Sequence, residues 1–216
     1  MTTPASKHPH LIYFADPMCS WCWGFAPVIG AITREFGERL PIRLVLGGLR
    51  PGTTDPLDDA RKATLRTHWG HVHEASGQPF NDAFFARARF VYDTDPACRA
   101  IAVIRRQGMA QALHALHRLQ EAFYAANRDI TQMEELTAIA VEMGLDADEF
   151  STALQSEATR QETWQDYAMS QRSGVTGFPT LIAGGTGGDY ALVTQGFAPA
   201  GQVLPALDGW LARQAP

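Results

Sequence analysis

Leu11-Ile-Tyr-Phe-Ala15 is an unbroken apolar run of strand length, closed by Asp16-Pro17, and it predicts a buried strand. Beyond Met18-Cys19-Ser20-Trp21-Cys22-Trp23-Gly24 the period changes. Phe25, Val28, Ile29, Ile32 and Phe36 recur at helical spacing, and Gly37 supplies a stop. Ile42 to Leu46 is a second strand-length run, ended by Gly47-Gly48. Strand, helix and strand in that order favour a parallel pair joined by a crossover.

The middle of the chain differs. From about residue 56 to 155 no strand pattern stands out, and the segment reads as a helical block. Asp95-Pro96 reads as a helix cap followed by proline at the first helical position. Leu113, Leu116, Leu119 and Phe123 form one helical stripe. Thr131 with Glu134 fits a capping box ahead of Leu136, Ile139 and Met143, with Gly144 as the stop. Asp146 with Glu149 repeats that cap ahead of Phe150 and Leu154. Trp164, Tyr167, Ala168 and Gln171 then continue a helix that Gly174 ends. Pro179 to Ala183 reads as a strand, the glycine-rich 184–188 segment as a turn, and Tyr190 to Gln195 as the hairpin partner. That glycine segment opens no helix, so it is not a phosphate loop. Pro199 opens a last helix through Leu204, Leu207 and Leu211.

Composition narrows the function. A chain of 216 residues with 45% hydrophobic content buries roughly 70% of its unfolded surface and needs no disulfide to hold a core. A formal charge of −5 without a long basic run leaves no electrostatic footprint for nucleic acid, and none is expected as a partner. No segment approaches the ~20 apolar residues of a membrane span. The start of the chain lacks the basic opening and the apolar core of about 7–15 residues that mark a secretory signal. The expected compartment is the cytoplasm. Three cysteines are an odd number and too few for a disulfide scaffold. In a reducing compartment a close pair serves catalysis or metal binding rather than structure.

Cys19-Ser20-Trp21-Cys22 stands at the start of the first helix. The first helical N–H groups lack intrahelical partners, and the helix dipole is positive there. Both features stabilise a thiolate at Cys19, the form that attacks disulfides. Cys22, one turn deeper, can reach Cys19, close an intramolecular disulfide and release a mixed-disulfide partner. Two other readings of the pair compete with this one. Structural zinc wants four ligands, no second Cys-x-x-Cys exists, and His8 and His10 fit poorly. Two inert core cysteines are the blander alternative. Elsewhere, Cys98 reads as a small apolar residue on its helix. His68, His71 and His73 do not share one helical face, and His114 and His117 read as solvated. No metal site is expected.

These residues resemble the thioredoxin superfamily, and its DsbA-like branch in particular. The likeness rests on the Asp16-Pro-Met-Cys19-Ser-Trp-Cys22-Trp motif between strand and helix, on Pro27 inside that helix, and on Val175-Thr-Gly-Phe-Pro179-Thr180 before a strand. It extends to Gly196-Phe197 after the last strand, to the Asp95-Pro-Ala-Cys98-Arg-Ala100 helix start, and to the inserted helical block. The resemblance implies an α/β thioredoxin-like fold with a large all-α insertion. Residues 1–55 and 156–216 would form the discontinuous thioredoxin-like domain, and 56–155 the helical insertion. It implies a cis Phe178–Pro179 bond facing the sulfurs. Cys19 would be the nucleophile, Cys22 the resolving thiol, and Pro179 the shaper of the groove. Phe178 and Thr180 would offer backbone to an extended substrate by strand addition, with Met18, Trp21 and Trp23 as an apolar rim. The implied activity is disulfide oxidoreductase or isomerase chemistry on protein, peptide or small-molecule disulfides. No bound cofactor is expected, although glutathione is open as reductant or co-substrate. Kappa-type glutathione transferases and 2-hydroxychromene-2-carboxylate isomerases resemble the same inserted fold and supply the alternative reading. They typically carry serine at the position of Cys19 and lack the second cysteine, so the pair present here favours exchange. Ser20-Trp21 differs from the Pro-His dipeptide of periplasmic DsbA, so that oxidant's potential does not carry over.

Overall fold

The structure is a computed structural model and describes residues 8–214. Residues 1–7, read above for a leader, lie outside the described residues. Four strands form one sheet: β1 (His10–Ala15), β2 (Ile42–Leu46), β3 (Thr180–Gly184) and β4 (Tyr190–Gln195), in the order β2-β1-β3-β4. β1 pairs with β2 in parallel, Leu11 opposite Ile42. β3 runs antiparallel to both β1 and β4. The apolar run of β1 has no polar face because both faces are covered. Leu11, Tyr13 and Ala15 enter the main core, while Ile12 and Phe14 meet Val45 on the other side.

Helix α1 (Ser20–Phe36) makes the crossover between β1 and β2, burying Phe25, Val28, Ile29, Ile32 and Phe36, with Gly37 as its C-cap. Six helices follow β2: α2 (Asp59–Ser76), α3 (Asp95–Arg105), α4 (Met109–Gln120), α5 (Met133–Glu142), α6 (Ala147–Gln155) and α7 (Glu157–Arg172). Ser156 ends α6 and caps α7 through a bond from Thr159 N–H. The last helix, α8 (Ala200–Ala212), closes the chain. No described helix is long and apolar enough to cross a membrane.

Two local expectations need correction. The N-cap of α3 is Thr94, so Asp95 already lies inside the helix; the Asp93 carboxylate accepts the Asp95 N–H at 3.0 Å and shifts the start by one residue. The Thr131–Glu134 capping box does not form. Asp129 takes both the N–H and the hydroxyl of Thr131, and Gln132 becomes the N-cap of α5 with no side-chain bond. Asp146 does cap α6, accepting from the N–H groups of Asp148 and Glu149.

The helical block and the sheet share one hydrophobic cluster that runs from Leu11 to Trp210. Three contacts lock them together. α2 lies close on α1 at Gly24, where a Cβ would stand 2.8 Å from Val72 Cγ1. Trp69 of α2 is buried among the rings of Phe80, Phe84, Phe85, Phe123 and Tyr124. Asp166 of α7 accepts the Leu46 N–H of β2 at 3.1 Å and pairs with Arg105 of α3 at 2.5 Å. The last contact holds the end of β2, and hence the turn that follows it, against the site.

Candidate active site

Cys19 is the N-cap of α1. Its backbone is extended (φ −89°, ψ 114°), its N–H donates to Asp16 C=O at 3.1 Å, and its own C=O accepts from Trp23 N–H at 3.1 Å. No side chain caps the free N–H groups of the first turn, so the positive end of α1 acts on the Cys19 sulfur itself. The opposite wall comes from the segment that leads into β3. The Cys19 thiol donates to the Phe178 carbonyl at 3.5 Å, and the Phe178–Pro179 bond is cis. Gly196 N–H donates to Pro179 C=O at 2.7 Å, and the Thr180 hydroxyl donates to Gly177 C=O at 2.8 Å. The Phe178 ring lies so close on Gly47 that a Cβ there would collide with it, which ties this segment to the end of β2 as well.

The two cysteines differ in setting. Cys19 is 6% exposed and Cys22 0%. Burial pushes the Cys22 thiol well up, and interaction with Cys19 and the negative charge of Asp16 add to that, while the Asp16 backbone N–H opposes it. Asp16 is itself fully buried. Its Oδ1 accepts from Met18 N–H at 2.9 Å; its Oδ2 accepts from Leu49 N–H at 2.8 Å and from the Cys98 thiol at 3.6 Å. Burial raises the Asp16 carboxyl, and those hydrogen bonds only partly offset it. Burial and the Asp16 charge also push the Cys98 thiol well up. Cys98 thus packs in the core as expected, but as a donor to a buried carboxylate.

Toward solvent the site opens into a cleft of about 190 Å3 between Cys19, Trp21, Leu49, Arg50, His68 and Phe178. A larger groove of about 560 Å3 shares Arg50, Leu65, His68 and Tyr92 with it and continues along α2 past Arg61. The Arg50 guanidinium lies over the Tyr92 ring at 5.2 Å, and the Tyr92 hydroxyl donates to Met18 C=O at 2.6 Å. The cleft wall is therefore pinned to the residue before Cys19.

The expected rim is only partly there. Trp21 is half-buried and meets Phe197 at 5.8 Å between ring centroids, and Phe178 is half-buried. Met18 and Trp23 are buried and do not form a rim. Trp23 turns inward, donating its indole N–H to Pro79 C=O at 3.0 Å and stacking near Tyr124 and His117. It anchors the helical block to α1. Thr180 is buried too, so its side chain offers nothing to a ligand. His68, His71 and His73 are exposed along α2, and no three metal-ligating side chains converge among the described residues.

Comparison with known proteins agrees with this geometry. A family model described as Thioredoxin matches residues 13–198. The chain belongs to the thioredoxin superfamily, on its DsbA-like branch. A protein of Nitrosomonas europaea, provisionally named a protein disulfide isomerase, is 35% identical to this DsbA-like chain. The match covers 96% of this chain and 100% of that one, with a TM-score of 0.88. The cytosolic disulfide reductase DsbM of Pseudomonas aeruginosa is 26% identical, covers 94% and 96% of the two chains, and has a TM-score of 0.73; DsbM with GSH gives 0.72. The ClpXP adapter protein SpxH of Bacillus subtilis is 26% identical over 178 residues, 81% of this chain and 58% of SpxH. The DsbA-like chain thus spans less than two thirds of that relative's length.

Sequence reasoning missed Asp16, Arg50 and Tyr92. Asp16 reads as a strand terminator, yet a carboxylate closing an apolar run three residues before a cysteine was a usable signal. Nothing in the sequence placed Arg50 or Tyr92 beside Cys19.

Proposed function

We propose that this DsbA-like protein is a cytoplasmic thiol–disulfide oxidoreductase that works in the reducing direction with glutathione as electron donor. The carrying observation is the position of the Cys19 sulfur, at the uncapped N-terminus of α1 and against the Phe178 carbonyl, with Cys22 enclosed one turn behind it. Cys19 reacts in its thiolate form. That thiolate attacks one sulfur of a substrate disulfide, and the other sulfur leaves as a thiolate. Cys22, after losing its proton, attacks the Cys19 sulfur, forms the Cys19–Cys22 disulfide and expels the second substrate thiolate. Two glutathione molecules, becoming oxidised glutathione, return the pair to dithiol. Pro179 has no N–H to donate, which leaves the Phe178 carbonyl as the backbone feature beside Cys19.

The direction and donor are supported by the likeness to DsbM, named as a cytosolic disulfide reductase and studied with GSH. The cleft suits glutathione chemically. Glutathione carries two carboxylates, and the groove beyond Cys19 presents Arg50, Arg61 and His68. The transferase or isomerase alternative uses one sulfur only, so Cys22 decides between them. Cys22→Ser is expected to accumulate a mixed disulfide on Cys19 with a disulfide substrate and to lose turnover. Undiminished glutathione-dependent turnover in Cys22→Ser, with no trapped adduct, contradicts the proposal.

A further inference from the structure

Exchange in the cleft needs proton transfer at two points. A substrate sulfur expelled by Cys19 leaves as a thiolate, and an incoming glutathione must give up its thiol proton before it attacks. Both events fall beside Trp21, Leu49 and Phe178, and apolar walls disfavour a bare charge. The side chains that line the cleft leave one group fit for the transfer. Cys19 is the nucleophile. The Arg50 guanidinium does not lose its protons. Burial pushes the Tyr92 phenol up, and its hydrogen is already donated to the Met18 carbonyl. Ser20 and Trp21, between the cysteines, carry no group that titrates near neutrality. His68 of α2 remains. It lines both this cleft and the larger groove that continues from it. No hydrogen bond or ion pair among the described residues occupies its ring nitrogens. Arg50 and Asp55 face the shared groove from the segment between β2 and α2, Tyr92 faces it from the segment before α3, and Arg61 from the start of α2 itself. His71 stands one turn further along that helix.

We propose that His68 is the acid–base residue of the cleft, a catalytic group that the helical insertion adds to the Cys19–Cys22 pair. The inference rests on the reading of that pair as a couple restored by glutathione. In the restoring half, the neutral His68 imidazole takes the thiol proton of the first glutathione as its sulfur attacks the Cys19 sulfur. The new sulfur–sulfur bond forms, the Cys19–Cys22 bond breaks, and Cys22 departs with the electron pair and takes one proton from solvent. The second glutathione releases its proton to solvent, attacks the glutathione sulfur of the adduct and expels Cys19 as a thiolate. The His68 imidazolium keeps the first proton for the next substrate. When Cys19 attacks that disulfide, the substrate S–S bond breaks and the departing sulfur takes the electron pair and the His68 proton. The other substrate sulfur, expelled when Cys22 resolves the adduct, exchanges its proton with solvent. One histidine thus serves as base in one half-reaction and as acid in the other, and its ordinary titration between about pH 5 and 8 suits both.

The test mixes the oxidised protein with glutathione, quenches in acid, and follows by mass the loss of the Cys19–Cys22 disulfide between about pH 5 and 8. A parallel series uses 2-mercaptoethanol, a thiol without charge. His68 is exposed on α2, so His68→Gln removes no core contact, and its urea unfolding midpoint should match the wild type. Attack by preformed thiolate alone raises the rate about tenfold per pH unit in this range. His68→Gln should follow that slope, starting about tenfold or more below the wild type near about pH 6. The wild type should rise less steeply and level off once the imidazole is neutral. Both differences should persist with 2-mercaptoethanol. Wild-type rates and slope in His68→Gln overturn the role. So does a loss confined to glutathione, which would make His68 a contact for a carboxylate instead. If Cys22→Ser accumulates no glutathione adduct, the reading of the pair fails. If it does accumulate one while His68→Gln behaves as the wild type, the role of His68 alone fails.

Discussion

The first turn of α1 has two sides that differ in almost every physical respect. Cys19 looks into a cleft bordered by Trp21, Leu49, Arg50 and Phe178. Cys22, three residues on, is sealed among Tyr13, Asp16 and the core, with Cys98 behind Asp16. The open side combines helix-end electrostatics with an apolar and cationic wall, and under the proposed function it would select which disulfides enter. The closed side places a thiol against a buried carboxylate and away from water, so it governs when Cys22 gives up its proton. Burial alone moves a thiol toward its neutral form, and here the Asp16 charge reinforces it. Identical side chains acquire different chemistry because one lies at a helix end facing a cleft and the other inside.

The comparison breaks most visibly at the sulfurs. Cys19→Ser is expected to lower disulfide reduction by about three orders of magnitude or more, whereas Cys98→Ala should leave turnover within about twofold; an assay with a small disulfide checks both. Next in size is Tyr92→Phe, which strips the Met18 carbonyl of its buried donor. Leaving that group unsatisfied costs about 1–3 kcal/mol, readable as a shift in the urea unfolding midpoint. On the open side, Arg50→Ala should reduce kcat/KM for glutathione about tenfold relative to dithiothreitol, the loss of one charge-assisted contact of about 1.4 kcal/mol. Equal losses with both thiols would remove Arg50 from the recognition of charge.

The smallest effect belongs to Asp16→Asn and has a definite sign. Burial raises Asp16 above its ordinary value of 3.8, so the folded protein holds that proton to higher pH than the unfolded chain does. The stability this contributes is fully present below 3.8 and is lost as pH rises through the raised folded value. Asp16→Asn should flatten that part of the decline in urea denaturation across mildly acidic pH. Asp166, raised mainly by burial against the pull of Arg105, has the same sign and keeps its share. The variant should also lower the Cys22 thiol titration, read from thiolate absorbance.

Much of this was legible along the chain. The runs at Leu11–Ala15 and Ile42–Leu46 and the helical period from Phe25 to Phe36 give β1, β2 and α1 directly, because a strand buried on both faces leaves no polar position to confuse the period. The motif at Cys19–Cys22 and the downstream Phe178-Pro179-Thr180 marked both walls of the site. What failed depends on three-dimensional covering. Trp23 and Met18 look like rim residues until Pro79, Tyr92 and the helical block close over them. Tyr13 looks like one more apolar residue in a strand, and Asp16 like its terminator; only the packing of α1 on β1 brings both beside Cys22. Thr131 with Glu134 satisfied a local cap pattern, yet Asp129 outcompeted it for the same donors.

The most direct test of the central claim is the equilibrium of the reduced and oxidised protein in defined glutathione buffers, followed by mass after alkylation. The account predicts a two-electron couple in which Cys19 and Cys22 are protected together while Cys98 is modified after denaturation, with a potential of about −220 to −260 mV, close to the glutathione poise, so that glutathione can reduce the pair and the pair can reduce its substrate. A couple that includes Cys98, no intramolecular disulfide at all, or a potential near about −120 mV would contradict it.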